Sequence, residues 1–216
     1  MSKSHKQTQI LQTLTRREKG TSIPITTRHV TLPDGTTGAV HGINLQEAEV
    51  PDRHYLATAC GVIYSNERLR LLFAQQYLDA TGLRNLVIIN MTPLAAVQFL
   101  QAIRALNQPS LDDIAQRSHI GKQPLIEIRS DAEEQTVELP ANVIAAAFSG
   151  RDASLDFYHA SVSSLAAALS TNRIALEPVV RINLDTSLVI SLVARLEQLS
   201  ADFPQDAKPW EHLHDK

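Results

Sequence analysis

Residues 64–73 read YSNERLRLLF and residues 148–157 read FSGRDASLDF, so that two stretches of the chain carry the same order of apolar and polar side chains. The correspondence continues further on, where residues 89–92 (INMT) match residues 182–185 (INLD) and each stretch precedes a helical pattern. Self-similarity of this kind is typical of a duplicated domain. The sequence therefore predicts two repeated units, a feature that defines architecture far better than it defines activity.

The composition is that of an ordinary globular protein. The chain has 216 residues, of which 44% are apolar and 20% are charged, and this length suits one or two domains. A formal net charge of −3 gives the whole molecule no strong electrostatic preference for nucleic acid or anionic lipid. No apolar run approaches the roughly 18 residues that span a bilayer, so we expect no membrane partner. The N-terminus does not resemble a signal peptide and Cys60 is the only cysteine, which favours the cytoplasm.

Turn signals and changes in composition divide the chain into two units joined by a polar linker, with one further segment at each end. The predicted segments are a basic N-terminal arm over residues 1–25, a first unit over 26–108, the linker over 109–123, a second unit over 124–203 and a C-terminal tail over 204–216. We expect the two units to share one architecture, because their apolar patterns match.

Each predicted unit is a β-hairpin followed by three antiparallel strands and a helix, which places the chain in the α+β class. In the first unit the hairpin turns at LPDG, where proline presets one turn angle and glycine accepts a positive φ. Thr92 and Pro93 mark the start of the helix, as an N-cap and a first helical residue. The hairpin arms are 26–31 and 37–43, the strands are 54–64, 68–76 and 86–90, and the helix is expected to bury Leu94, Val97, Leu100, Ile103 and Leu106.

The second unit repeats this order with one insertion. Its alanine-rich residues 162–169 lengthen the path to the third strand and predict a short extra helix. The closing helix is capped by Asp185 or Thr186 and carries an apolar stripe that faces inward. The predicted hairpin arms are 125–129 and 136–139, the strands are 142–149, 153–160 and 179–183, and the stripe is Leu188, Val189, Leu192, Val193, Leu196 and Leu199.

The second unit resembles a small bacterial family of domains of unknown function. The resemblance rests on Ala141 and Asn142 at the start of a strand, on Ser149, on the LDF sequence of residues 155–157, and on residues 179–184 with the helix that follows. It covers residues 137–203 and, more loosely, 54–107. The family implies a strand-strand-strand-helix unit that is usually single and oligomeric, and it implies no established activity. Two such units in one chain would form a covalent pseudo-dimer.

No pattern in the sequence indicates catalysis, a cofactor or a metal ion. Cys60 lies in a strand-like run, where a buried structural thiol is the expected role. His29 and His41 stand on the two arms of the first hairpin, where an exposed strand face is the simpler interpretation. His212 and His214 belong to a tail without a carboxylate or cysteine at a familiar ligand spacing. We therefore expect no enzyme activity, no cofactor and no metal site.

The candidate partner-binding residues lie near the two ends of the chain. Trp210, the only tryptophan, stands in a polar, proline-bounded tail and must dock either on its own domain or on a partner. Arg16, Arg17 and Lys19 belong to a local excess of positive charge that could contact nucleic acid, although a solvated terminus is the simpler interpretation.

The sequence favours a non-enzymatic, protein-binding and self-assembling cytoplasmic protein, such as a scaffold, an adaptor or a holdase-like chaperone. We expect a homo-oligomer, because small units of this kind leave sheet edges open for pairing. Two alternatives stay open. The first is a nucleic-acid-associated regulator that uses the basic N-terminal arm, and the second, less favoured, is an enzyme with an unrecognised site in a cleft between the units.

Overall fold

The computed structural model describes residues 20–31, 35, 37–76, 83–105 and 136–204. Within these residues the chain forms two β-sheets and three α-helices, so the predicted α+β class is confirmed. Several predicted features lie outside the described residues, namely the N-terminal arm up to residue 19, Leu106, the linker over 109–123, the hairpin arm over 125–129 and the C-terminal tail beyond residue 204.

The strands and helices follow one another along the chain in an order close to the predicted one. In chain order they are β1 (Thr21–Thr31), β2 (Thr37–Ile43), β3 (His54–Leu56), β4 (Ala59–Ser65), β5 (Arg68–Gln76), β6 (Leu83–Met91), α1 (Pro93–Ala105), β7 (Val137–Pro140), β8 (Val143–Ser149), β9 (Asp152–His159), α2 (Val162–Thr171), β10 (Arg173–Asp185) and α3 (Thr186–Ser200). A short 3-10 helix, Leu45–Glu47, follows β2.

The two sheets are mixed rather than purely antiparallel. The first has the order β2-β1-β10-β9-β8, with β3 pairing parallel to β10 as well, and the second has the order β4-β5-β6-β7, with β7 parallel to β6. The antiparallel pattern that the sequence predicts therefore does not hold for β3 and β7. Neither strand is joined to its partner by a tight turn, so no hairpin imposes an antiparallel direction on either pair.

The chain changes sheets directly after β3. The amide of Ala57 donates to the carbonyl of Asn183 in the first sheet, with an N···O distance of 2.9 Å. The next amide, that of Thr58, donates to the carbonyl of Ala74 in the second sheet, also at 2.9 Å. The single strand predicted over residues 54–64 is therefore two strands, because the backbone exchanges one sheet's hydrogen bonds for the other's between these two amides.

A second passage, in the opposite direction, follows β7. The amide of Ala141 donates to Asn90 in the second sheet and the amide of Asn142 donates to Tyr158 in the first, each at 3.0 Å. The side chain of Asn142 then bonds both backbone groups of Ala160, donating to the carbonyl at 2.8 Å and accepting from the amide at 2.7 Å. Asn142 thus fixes the start of β8 against the end of β9.

The two sheets share one core with α1 and α3. Phe73 of β5 and Phe157 of β9 meet edge to face, with ring centroids 5.7 Å apart. α3 packs on β4, α1 packs on β8, and the two helices contact each other. Buried and more exposed residues alternate over the first half of β5, as the sequence pattern predicts, whereas its residues 71–74 are buried in succession. The fully buried members of this core include Leu69, Leu71, Ile89, Leu155, Ile182, Leu192 and Leu196.

The helices bury most of the predicted stripes. In α1, Val97, Leu100 and Ile103 are buried as predicted, whereas Leu94 is 48% exposed. The prediction for Leu94 is wrong because the first turn of α1 turns its alanines to the core, so that Ala95 and Ala96 are buried in its place. In α3 the stripe is at least half-buried throughout, with Val189, Leu192 and Leu196 buried and Leu188, Val193 and Leu199 packed against the same core.

A smaller core lies around the first half of β10. Tyr158, Ile23 and Leu176 are buried there together with Ala168 of α2, the predicted extra helix. β10 begins at Arg173, earlier than the predicted residue 179, because its first half pairs with the first residues of β1. Beyond that contact β1 pairs with β2, and Gly35 in the connecting turn has a φ of 81°, as the turn sequence predicts.

Replacement of Asn142 by alanine is expected to lower the free energy of unfolding by about 3 kcal/mol, because it leaves both backbone groups of the buried Ala160 without a partner. Asn142→Asp should also be destabilising, because the carboxylate still accepts from the amide but turns its second oxygen toward the Ala160 carbonyl. Urea denaturation measures both changes. Gln98→Ala on the exposed face of α1 is the control, and it should change stability by less than about 0.5 kcal/mol. An equally small effect of Asn142→Ala would contradict this role.

Candidate binding cleft

A cleft runs beside β7, where the second sheet meets the end of β9. It consists of two adjoining cavities of about 350 and 320 Å³, which share Pro140 and His159 in their walls. Each volume is of the size found in ligand-binding sites, roughly 300 to 1,000 Å³. We call the two cavities together the β7 cleft. The cavity next to β5 is its cationic half, and the cavity next to β10 is its apolar half.

The arginines of the cationic half come from the alternation of β5. Leu69 and Leu71 point into the core, so Arg68 and Arg70 lie on the opposite face of the strand. Arg70 pairs in register with Asn90 on β6, whose side-chain amide donates to the Glu138 carboxylate on β7 at 3.2 Å. Three neighbouring strands thus place two guanidinium groups, one amide and one carboxylate on the same wall.

Two nitrogen atoms in this half have no hydrogen-bond partner among the described residues. They are Nε of Arg70 and Nδ1 of His159, and both are buried from solvent. Most buried polar atoms in proteins are paired, so an unpaired one calls for a physical explanation. Both nitrogens belong to residues that line one cavity, so an acceptor group bound there would lie beside both residues. The cationic half is therefore chemically suited to an anionic oxygen ligand.

The apolar half has a floor of hydrocarbon side chains and a charged rim. Leu139 and Pro140 of β7 face Pro178 and Val179 of β10, where the pairing with β9 is irregular between residues 178 and 180. The rim carries both signs of charge and consists of Asp52, Arg53 and Glu177. This composition suits a ligand that has apolar as well as polar groups.

A partly buried ion pair lies near the cleft, and its two charged groups are already bound to each other. Arg181 binds Asp156 through two hydrogen bonds of 2.6 Å, and Asp156 is only 8% exposed. Hydrogen bonding to Asp156 raises the pKa of Arg181, which therefore stays charged. Burial, together with the negative charge of Asp156, raises the pKa of Tyr158 to about 12, so its hydroxyl stays neutral near physiological pH. The pair stabilises the outer face of the first sheet.

Of the residues that the sequence singles out, those that the structure describes do not line this cleft. Trp210, Arg16, Arg17 and Lys19, like His212 and His214, lie outside the described residues. His29 pairs with Ala39 and His41 pairs with Thr27, so the two histidines are offset along the hairpin rather than directly opposite. In the part of the chain that the structure describes, no group of three or more His, Cys, Asp or Glu residues is placed to hold a metal ion.

Sequence reasoning missed the arginines and the histidine of the cleft. The alternation of β5 indicated that Arg68 and Arg70 share one polar face, and this signal could have identified them. His159 carried no such signal, because it lies beside the cleft only through the long-range path of the chain from β7 into β8.

Among the described helices, none combines the length and the apolar character that a bilayer crossing requires.

Cys60 is a partly buried thiol, and its Sγ donates to the carbonyl of Leu188 at 3.4 Å. Burial raises its pKa to about 11, so only about one thiol in a thousand is ionised at pH 8. We expect labelling by a disulfide reagent at pH 8 to be at least about a hundredfold slower in the native protein than in urea. Glutathione, labelled with and without urea, controls for the effect of urea on the reagent. Rapid labelling of the native protein would contradict the assignment.

Comparisons of the chain with models of protein families, with curated proteins and with solved structures find no match. The resemblance of residues 137–203 to a small bacterial family therefore stays a prediction. The β7 cleft and the exposed edges of the two sheets are the features of the described residues that bear on function.

Proposed function

We propose that the protein binds other protein chains, including copies of itself, along two uncharged strand edges. In the described part of the chain β4 pairs only with β5, and β8 pairs only with β9. β4 reads ACGVIYS and β8 reads VIAAAFS, so neither strand contains a charged residue or a proline. This observation carries the proposal, because an outer strand without charge or proline favours pairing with a further strand.

The side chains of the two edges add to this tendency. Ile63 on β4 is 42% exposed, and Ala147 and Ser149 on β8 are exposed as well. β-branched and small residues pack well against an added strand, and lysines that would oppose pairing are missing from both edges. Addition of a strand to a sheet edge is a common mode of peptide recognition and also of self-association. A scaffold, an adaptor or a holdase-like chaperone would each use such edges.

An internal duplication is the second part of the proposal. The hairpin of β4 and β5 and the hairpin of β8 and β9 have the same pairing register and the same turn length, which supports a common origin. The corresponding facing pairs are Ala59–Ala74 with Val143–Tyr158, Cys60–Phe73 with Ile144–Phe157, and Ser65–Arg68 with Ser149–Asp152.

The third strands and the short strands support the same correspondence. β6 lies beside β5 as β10 lies beside β9, while β7 pairs with β6 as β3 pairs with β10. Each proposed unit thus lends its short strand to the other, as in a strand-exchanged dimer joined into one chain. The corresponding pairs are Leu69–Met91 with Ala153–Leu184, Phe73–Val87 with Phe157–Val180, and Ile88–Glu138 with Arg181–His54.

This exchange leaves β4 and β8 as the two corresponding outer strands of the proposed pseudo-dimer. Phe73 and Phe157, which correspond, touch each other, as residues near an approximate two-fold axis would. A symmetric pair of open edges is closed most simply by a second copy of the chain or by a ring of copies. A stable assembly of this kind would bury on the order of 1,000 Å² or more.

The basic-arm alternative stays a prediction, because Arg16, Arg17 and Lys19 lie outside the described residues. If the arm binds nucleic acid, its affinity should fall steeply with salt, since neutralised phosphates release counterions. The enzyme alternative likewise stays a prediction.

A charge on either edge is expected to reduce self-association. Light scattering should give the wild-type chain a mass above the 23.8 kDa of one copy, and Ile63→Lys or Ala147→Lys should lower it, because a lysine opposes strand addition. The matched controls are Leu165→Lys and Ala166→Lys on the exposed side of α2, which should leave the mass unchanged. A wild-type monomer at micromolar concentration, or equal effects of edge and helix lysines, would contradict self-association through these edges.

On the proposed duplication, the Asp156–Arg181 ion pair should be replaceable by the apolar pair that stands at the corresponding positions of the other sheet. Leu72 and Ile88 face each other in the second sheet at the corresponding positions. Asp156→Leu alone should lower the free energy of unfolding by about 3 kcal/mol, because it leaves a half-buried arginine unpaired, whereas adding Arg181→Ile should restore most of it.

Urea denaturation measures both variants. The control is Glu197→Leu in the exposed pair of Arg104 and Glu197, which should cost less than about 1 kcal/mol. A double variant as unstable as the single one would count against the correspondence.

A further inference from the structure

We propose that the β7 cleft binds an extended acidic segment of a partner protein, with one carboxylate held between Arg68, Arg70 and His159. This inference rests on the proposed function as a protein-binding chain and names the chemistry of the partner. The cationic half of the cleft would hold the acidic side chain, and the apolar half would hold the neighbouring residues of the segment.

The unpaired nitrogens favour an anionic oxygen. Nε of Arg70 is a permanent donor, and Nδ1 of His159 is a donor whenever it carries a proton. A carboxylate has two oxygens, so it can accept hydrogen bonds from two donors. Hydrogen bonds between a guanidinium and a carboxylate are among the stronger ones in proteins, because both partners are charged. The same carboxylate would remove the cost of leaving two buried polar atoms unpaired.

The charges of the cationic half leave room for one more anion. Arg68 and Arg70 contribute two positive charges, and Glu138 contributes one negative charge. The Glu138 carboxylate already accepts from Asn90, on the side of the wall away from β5. A single incoming carboxylate therefore balances the remaining positive charge without a second ligand.

The corresponding position in the other proposed unit is already satisfied. Gln75 stands where His159 stands, by the register of the two hairpins. Its side chain donates to the Leu56 carbonyl at 3.0 Å and accepts from Asn85 at 2.9 Å. Gln75 thus finds its hydrogen-bond partners within the chain, whereas Arg70 Nε and His159 Nδ1 beside the β7 cleft have none among the described residues.

The adjoining apolar half favours a peptide over a small free anion. Pro140 and His159 belong to both cavities, so a chain whose acidic side chain lies near Arg70 would continue over Leu139 and Val179. β7 runs along the whole cleft, and among the described residues it is the outermost strand of the second sheet. An extended segment would lie beside this strand with its side chains alternating between the cleft and solvent.

The test uses fluorescence anisotropy with the full chain and a short labelled peptide of alternating valine and serine with one central aspartate. The same peptide with a central asparagine is the matched ligand. We expect the aspartate peptide to bind about tenfold more tightly, because only its carboxylate meets the arginines. Arg68→Gln and Arg70→Gln should each weaken that binding about tenfold, while Arg195→Gln, an exposed arginine on α3, should leave it unchanged.

Arg68 is exposed, so Arg68→Gln keeps the test valid if thermal melting shows that Arg70→Gln fails to fold. Equal affinities for the two peptides would overturn the carboxylate site. Sodium acetate binding as tightly as the aspartate peptide would overturn the peptide in favour of a small anion. Binding that requires deletion of residues 205–216 would overturn the partner in favour of the chain's own tail.

The outcome is separable from the proposed edge pairing. If no peptide binds while the wild-type chain still associates and Ile63→Lys still disrupts that association, only the cleft assignment is overturned. If the chain is a monomer and binds neither peptide, both proposals fall.

Discussion

The fold depends on two places where the backbone changes sheets. At Ala57 and Thr58, and again at Ala141 and Asn142, consecutive amides donate to different sheets. Backbone amides need partners, so these bonds keep β3 in the first sheet although β4 joins the second. They likewise keep β7 in the second sheet although β8 joins the first. The aromatic contact between the sheets and the packing of α1 on β8 and α3 on β4 follow from this exchange. Neither sheet is complete without a strand that continues into the other.

The same exchange creates the β7 cleft. Arg68 and Arg70 belong to the second sheet, whereas His159 ends a strand of the first, and these residues line one cavity because β7 leads directly into β8. A chain whose two sheets sat side by side without exchange would keep these groups on separate surfaces. The position of the cleft is thus a product of topology, while its charge is a product of the alternation in β5.

Local patterns predicted the parts of the fold that local patterns control. The alternation of residues 68–76 predicted β5, and the capping residues Thr92 and Asp185 marked the starts of α1 and α3, where each accepts a backbone hydrogen bond. The break at Ala57 was not predictable in this way, since the flanking residues favour strand on both sides and only the distant carbonyl of Asn183 separates them. The parallel pairing of β7 and the position of His159 depend on the same long-range contacts. The candidate site was missed for that reason, although its arginines carried a local signal.

On the proposed duplication, the two units have kept their backbone register and changed their polar side chains. Asp156 and Arg181 form an ion pair where the other sheet has Leu72 and Ile88, and Ser154 stands where the other sheet has Arg70. Backbone hydrogen bonds do not depend on these side chains, so the register could persist while the outer faces diverged. The crossing near Ala57 then kept its polar groups paired with one another. The crossing near Ala141 acquired Arg68 and Arg70, and Nε of Arg70 has no partner among the described residues. A duplicated scaffold can in this way separate stability from recognition, with one unit supplying each.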